Sequence, residues 1–115
     1  MPATLHSPCR WRRPAAVAAV LALLLAAVPP AFASKALAMK YGCLGCHAVA
    51  TQLVGPPYQA VAEKYADQPD AAAMLAARIR SGGSGKWGEL VMPPQPQVSE
   101  ADLKKLAAWV LGGAK

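Results

Sequence analysis

Apolar side chains follow three different patterns along this chain. Residues 15–28 form an unbroken apolar run without a charged side chain. Near the other end, apolar residues recur at spacings of three and four, the period of one helix face, at Leu103, Leu106, Ala107, Val110 and Leu111. Residues 81–98 show no period and are rich in Gly and Pro. These patterns predict an N-terminal export or membrane segment, a helical domain and one long loop.

Two helices are expected in the first half of the domain. The first covers residues 34–43. The second has Pro57 in its first turn, where a fixed φ and a missing N–H are tolerated, and runs to about Ala66. Val61 and Tyr65 are four residues apart, so we expect both on the inner face of this helix.

Two more helices are expected in the second half. Asp70 is positioned to cap a helix over residues 71–80. Ser99 and Asp102 have the spacing of a capping box, which opens a last helix that ends at Gly112. No strand or internal repeat is evident, so the predicted fold is all-α. The loop between these helices exceeds the length of about 12–15 residues beyond which loops are often functional.

The N-terminal run has the organisation of a secretory signal peptide. Three arginines precede it, and Ala31-Phe32-Ala33 follows it as an A-x-A cleavage site. The alternative is a membrane anchor, but residues 15–28 would span roughly 21 Å as a helix, short of the roughly 30 Å bilayer core. A lipoprotein would need a Cys after the cleavage point, where Ser34 stands. We predict a signal peptide over residues 1–33, cleaved after Ala33, and export to the periplasm.

The net charge of the chain is lower once the predicted signal peptide is removed. Loss of Arg10, Arg12 and Arg13 lowers the formal charge from +6 to +3. Such a weakly basic surface argues against nucleic acid as a partner. No stable membrane insertion is expected after cleavage. The remaining residues, 34–115, predict one domain, small enough to need a staple in its core.

Cys43-x-x-Cys46-His47 is the pattern of covalent c-type haem attachment. Two thiols one turn apart can reach the same edge of a porphyrin, and the next imidazole can bind its iron. The alternatives are a redox dithiol, a zinc site or a disulfide. A dithiol motif expects a βαβ context, and zinc expects four N or S ligands. Neither is found after residue 33, and a disulfide leaves His47 unexplained.

A haem that carries electrons needs a second axial ligand, and the domain has no second His. Met39, Met74 and Met92 compete for this position, with packing as the alternative role for each. We predict Met92, with Met74 next, because the prolines that follow Met92 would stiffen a ligand loop. The rigid Gly55-Pro56-Pro57 segment can offer a backbone carbonyl to the second ring nitrogen of the haem His.

With these residues placed, the chain resembles the small class I bacterial cytochromes c of the monohaem, pseudomonad type. The resemblance covers nearly all of residues 34–115. It is carried by the Cys-x-x-Cys-His motif, Val54-Gly55-Pro56, Arg78-Ile79, Trp87-Gly88, Met92-Pro93-Pro94 and Trp109-Val110-Leu111. It implies a class I cytochrome c fold, with about four short helices around one covalently bound haem c.

The resemblance also implies roles for single residues. The Pro56 carbonyl would accept a hydrogen bond from His47, and Arg78 and the Trp87 indole would bind a haem propionate. A solvated charge and a core aromatic are the alternatives for Arg78 and Trp87. Gln95 departs from family members that have Asn there, near the ligand sulfur.

We therefore interpret the chain as a soluble periplasmic electron carrier, not an enzyme, that exchanges one electron with transient redox protein partners. Two alternatives stay open. One is a haem peroxidase-like enzyme with an open iron position, and the other is a haem subunit of a larger oxidoreductase.

Overall fold

A computed structural model describes Met1 and residues 30–115. Four α-helices lie in this part of the chain: α1 (Pro30–Lys40), α2 (Tyr58–Tyr65), α3 (Ala71–Ser81) and α4 (Glu100–Leu111). A 3-10 turn covers Cys43–Gly45, and the described residues contain one isolated antiparallel bridge and no strand. The predicted all-α fold is confirmed. None of the described helices is long and apolar enough to cross a membrane. Residues 2–29, most of the predicted signal peptide, lie outside the described residues.

Helix α4 is the centre of the core, because it packs against α1, α2 and α3. Its predicted apolar face is buried, with Ala107 fully buried and Leu103 only 2% exposed. Burying one such leucine stabilises the fold by about 1.5–3 kcal/mol. The predicted cap is also present, since Ser99 Oγ accepts a hydrogen bond of 3.1 Å from the backbone N–H of Asp102.

The prediction for the first helix is wrong at both ends. Helix α1 begins at Pro30, where proline suits a first helical turn, and ends at Lys40 instead of continuing to Cys43. Gly42 ends it, because its φ of 74° is left-handed and incompatible with a continuing helix. The two thiols therefore lie outside α1: Cys43 begins a separate 3-10 turn and Cys46 directly follows it. Met39, near the end of α1, is 63% exposed.

The other helices lie within one or two residues of their predicted bounds. Pro57 is the N-cap of α2 instead of its first residue, and Val61 and Tyr65 are buried as expected. Helix α3 extends to Ser81. The predicted Asp70 cap is wrong. Asp70 directly precedes the helix, with φ −99° and ψ 14°, but its side chain accepts no capping hydrogen bond. The predicted start of the helix is correct, but these backbone angles differ from the extended conformation that is typical of a capping residue.

Tyr41 joins the end of the first helical region to α4. Its hydroxyl donates to Asp102 Oδ2 at 2.8 Å. This carboxylate is therefore used for a tertiary contact and not for the reciprocal half of the capping box. The bond from Tyr41 is the main cause that lowers the pKa of Asp102 from its ordinary 3.8, with help from Ser99, Lys105 and Lys40.

Replacing Tyr41 with phenylalanine should raise the pKa of Asp102 towards its ordinary value. A carboxyl whose pKa is lower in the folded state stabilises the protein above its unfolded pKa, and this stabilisation is lost as pH falls through the folded value. Tyr41→Phe should therefore flatten the pH dependence of stability at and below about pH 4. NMR titration of Asp102 and unfolding between pH 2 and 6 measure both effects. An unchanged Asp102 titration would exclude Tyr41 as its main partner.

Candidate cofactor site

A cavity of about 370 Å³ lies between the 3-10 turn, helices α2, α3 and α4, and residues 82–98. Its wall is mostly apolar, as expected for a cofactor pocket with few polar groups. It brings together residues that are up to 67 positions apart in the chain, from Cys43 to Val110. Every predicted site residue contributes to this wall: Cys43, Cys46, His47, Pro56, Arg78, Trp87 and Met92.

The 3-10 turn places both thiols at one edge of the cavity. The Cys46 and His47 backbone N–H groups both donate to the Cys43 carbonyl, at 3.2 and 3.0 Å. Cys43 is half-buried and Cys46 is exposed. Before any link to a cofactor is made, burial raises the pKa of the Cys43 thiol above its ordinary value. Within residues 30–115 the structure contains no group of three or more His, Cys, Asp or Glu side chains that could hold a metal ion.

His47 is held in one orientation by a backbone carbonyl. Its Nδ1 lies 2.8 Å from the Pro56 oxygen, the contact that the family resemblance implies. With Nδ1–H donating there, Nε2 carries the free lone pair that a metal can bind. The ring also stacks on Tyr58 at a centroid distance of 5.4 Å, and Tyr58 contacts Trp109 of α4 edge to face. Sequence reasoning missed Tyr58, since a lone aromatic at a helix start carries no signal of this contact.

Gly55 allows the loop to pass close to the imidazole. Its backbone N–H donates to the Cys46 carbonyl at 2.7 Å. A Cβ added at Gly55 would lie 2.7 Å from His47 Nδ1 and 2.9 Å from Nε2, closer than real side chains approach. The His47 ring can therefore occupy this position only because residue 55 has no side chain.

Gly55→Ala should displace the His47 ring and weaken the fold. Overpacking of this kind costs about 1–3 kcal/mol. We expect a lower unfolding midpoint and an altered haem absorption spectrum in the same variant. Gly112→Ala is the control, because its added Cβ would meet a carbonyl oxygen at an ordinary 3.4 Å, outside the cavity. Equal behaviour of the two variants would exclude the steric role of Gly55.

Two of the three competing methionines reach the cavity. Met74 and Met92 contribute to its wall, whereas the exposed Met39 does not. Met74 packs against the buried core from α3. Met92 has its backbone fixed by two reciprocal hydrogen bonds of 2.9 Å with Gly83, and Pro93 follows it. A thioether on a loop that is tied down in this way can be held towards a metal.

One side of the cavity is cationic. Arg78 is half-buried, and its Nη1 donates to the Gly82 carbonyl at 3.1 Å. An added Cβ at Gly83 would collide with this nitrogen, so the glycine makes room for the guanidinium. Trp87 also contributes to the cavity wall. Anionic groups of a cofactor fit here.

Gln95 belongs to the loop rather than to the cavity wall. Its amide nitrogen donates to the Pro93 carbonyl at 3.3 Å, and its oxygen accepts from Gln97 at 2.6 Å. Its backbone N–H also bonds to the Ile79 and Arg80 carbonyls at the end of α3. Both side-chain groups are thus engaged in bracing the segment after Met92.

The residues of this wall match the donor set of a haem c. Two thiols can form its covalent links, an imidazole and a thioether can bind its iron, and a cationic edge can hold its propionates. The apolar remainder suits the porphyrin face.

Comparisons with known proteins agree with this fit. The sequence model of the cytochrome c family matches residues 33–114. Cytochrome c-552 of Nitrosomonas europaea is 50% identical over 93 residues, which cover 81% of this chain and 88% of that protein. Cytochrome c-551 of Azotobacter vinelandii is 56% identical over 70 residues, covering 61% and 84% of the two chains.

Solved structures give the same result. The crystal structure of wild-type Nitrosomonas europaea cytochrome c552 matches with a TM-score of 0.65 and 51% identity, over 67% of this chain and 95% of that chain. Three observations indicate the same family. They are the covalent-attachment motif, the cavity that brings this motif together with Met92, and the length of chain over which the relatives match. This chain belongs to the cytochrome c family.

Proposed function

We propose that this protein is a periplasmic one-electron carrier whose haem iron is bound by His47 and Met92. Members of this family carry covalently attached haem c and transfer electrons, and this chain does the same. The observation that supports the ligand assignment is that one cavity collects both thiols, the oriented imidazole and the thioether of the fixed loop.

Each residue has a separate part in this function. When bound, the haem supplies a one-electron couple. Cys43 and Cys46 attach it at the edge of the cavity. The Pro56 carbonyl holds His47 Nδ1–H and increases the basicity of the ring. Arg78 would hold a propionate, and the apolar wall excludes water. His47 and Met92 would both bind the iron and would thereby keep small molecules from it, which would favour electron transfer over peroxide chemistry.

Methionine and a poorly solvated pocket both favour the reduced state. A His and Met ligand pair raises the potential of a c-type haem. Burial disfavours the extra charge of the ferric form because the surroundings solvate it poorly. Electrons would leave at the edge that carries the thioethers, where Cys46 is exposed. Transient redox partners need only a small contact area for this exchange.

The mass and the redox titration of the exported protein test this proposal. We expect an intact mass that fits residues 34–115 plus one haem, because Ala33 precedes the predicted cleavage point. We also expect one reversible one-electron transition and negligible peroxide turnover. A mass that retains residues 15–28 would indicate a membrane-anchored carrier. Rapid peroxide turnover by the parent protein would favour the enzyme alternative, and co-purification in a fixed ratio with other chains would favour a subunit.

A further inference from the structure

Lys64 connects the end of α2 to the tip of the loop that carries Met92. Its ammonium donates to the Lys86 carbonyl at 2.6 Å, across 22 positions of the chain. The same nitrogen lies 4.2 Å from the centre of the Trp87 ring. Trp87 in turn meets Tyr65 edge to face at 6.5 Å. One exposed lysine thus contacts both residues at the loop tip.

The loop has few other ties at this point. Its base is closed by the reciprocal bonds between Gly83 and Met92, and its tip contains a bond from Gly85 to Gly88. Within residues 30–115, the bond from Lys64 is the hydrogen bond that joins residues 84–91 to the rest of the fold. Leu90 and Val91 belong to the cavity wall and make no hydrogen bond to the rest of the described fold. On the side away from the cavity, the contacts that hold the tip are those with Lys64 and Tyr65.

The lysine also places a positive charge behind the cavity wall. Lys86 and Trp87 form part of this wall, and Lys64 contacts both of them from outside it. A cation over an aromatic face is attracted by the ring, which helps to hold the Lys64 charge beside Trp87. A fixed positive charge beside a redox centre disfavours the ferric form, which carries one more unit of positive charge than the ferrous form.

We propose that Lys64 is a positioning residue of the redox centre, which holds the tip of the Met92 loop over the cavity and raises the reduction potential through its charge. The potential part of this inference rests on the proposed function, whereas the loop part does not. Lysine acts here as a donor and a point charge at once. Arginine can replace both properties, but an apolar side chain of similar length replaces neither.

The test compares three variants of the haem-loaded protein with the parent. Lys64→Met removes the charge and the donor but keeps an apolar stem over Trp87. Lys64→Arg retains a charge and donors. Lys104→Met removes the same charge from an exposed residue of α4 that does not contribute to the cavity wall. The two readouts are hydrogen exchange at the Gly83 and Met92 amides, which form the loop base, and the midpoint potential at low and high salt.

We expect Lys64→Met to speed exchange at both amides roughly two- to tenfold, the effect of losing about one hydrogen bond from the closed state. The reduction potential of Lys64→Met should be lower than that of the parent, and this difference should shrink at high salt because salt screens the charge. Lys64→Arg should restore both readouts, and Lys104→Met should leave exchange unchanged and move the potential less. The inference is overturned if either readout of Lys64→Met equals that of Lys104→Met. A parent without a reversible one-electron couple would instead contradict the proposed function, and the exchange comparison would still decide the role of Lys64.

Discussion

Replacing Met92 with alanine should open the iron to water and small ligands while the haem stays attached. The thioethers to Cys43 and Cys46 do not depend on this side chain, so haem content should be unchanged. The potential should fall by a tenth or more of the roughly 0.8 V range that axial ligands span, because the sulfur that favours ferrous iron is lost. Peroxide turnover should appear or rise, since peroxide can then reach the metal.

Stability should fall in the same variant. The Met92 backbone remains bonded to Gly83, and Gln95 remains bonded to the end of α3, but the loop would lose the tie that the Met92 sulfur would make to the haem. Truncation of a fully buried methionine to alanine costs about 2–5 kcal/mol, and we expect the lower end of this range because Met92 is half-buried. The spectrum, the potential, peroxide turnover and the unfolding midpoint measure these effects together.

Met74→Leu is the matched control, because Met74 contributes to the same cavity wall from α3. This nearly volume-conserving change should cost less than about 1.5 kcal/mol and leave the iron ligands in place. If Met74→Leu lowers the potential and Met92→Ala does not, the ligand assignment is reversed. A parent protein that already turns over peroxide at the rate of Met92→Ala would contradict the carrier function.

Replacing both Cys43 and Cys46 with alanine should abolish covalent attachment. In the parent, the haem should remain with the polypeptide after denaturation, and acid–organic solvent should not extract it. The double variant should lose its haem to that solvent, and each single variant should mature poorly with one remaining link. Because the cofactor fills a cavity beside residues of α2, α3 and α4, its loss should also lower stability severely.

Cys9→Ala is the control for this experiment. Cys9 lies in the predicted signal peptide, so its replacement should leave the haem content and mass of the exported protein unchanged. Haem that is extractable from the denatured parent would exclude c-type attachment. A dependence of haem content on Cys9 would show that the leader is retained and contributes to the site.

The sequence predicted best where a local pattern determines the structure. The spacing of apolar residues in α4 follows from the geometry of a helix that packs on one face, and burial of Leu103 and Ala107 confirms it. The Cys-x-x-Cys-His motif is equally local, because attachment needs the two thiols and the imidazole on one turn. These three motif residues lie on one cavity wall, and the other four predicted site residues join them there through long-range packing.

Long-range contacts account for most of what sequence reasoning missed. Asp102 reads as the second half of a capping box, but Tyr41 reaches it from 61 positions away and takes the carboxylate for a tertiary bond. The stacking of His47 on Tyr58 and the bond from Lys64 to Lys86 likewise depend on how separate elements meet. The early end of α1 had a local cause in Gly42, but one glycine has several possible conformations and does not fix a boundary by itself.

The absorption spectrum of the purified ferric protein, before and after addition of cyanide, tests the ligation by His47 and Met92 most directly. A methionine–iron bond gives a weak far-red band in cytochromes c of this type. We predict this band in the parent and in Met74→Leu, its absence in Met92→Ala, and slow cyanide binding wherever the band is present. A parent without the band that binds cyanide as fast as Met92→Ala would contradict an electron carrier with both axial positions filled.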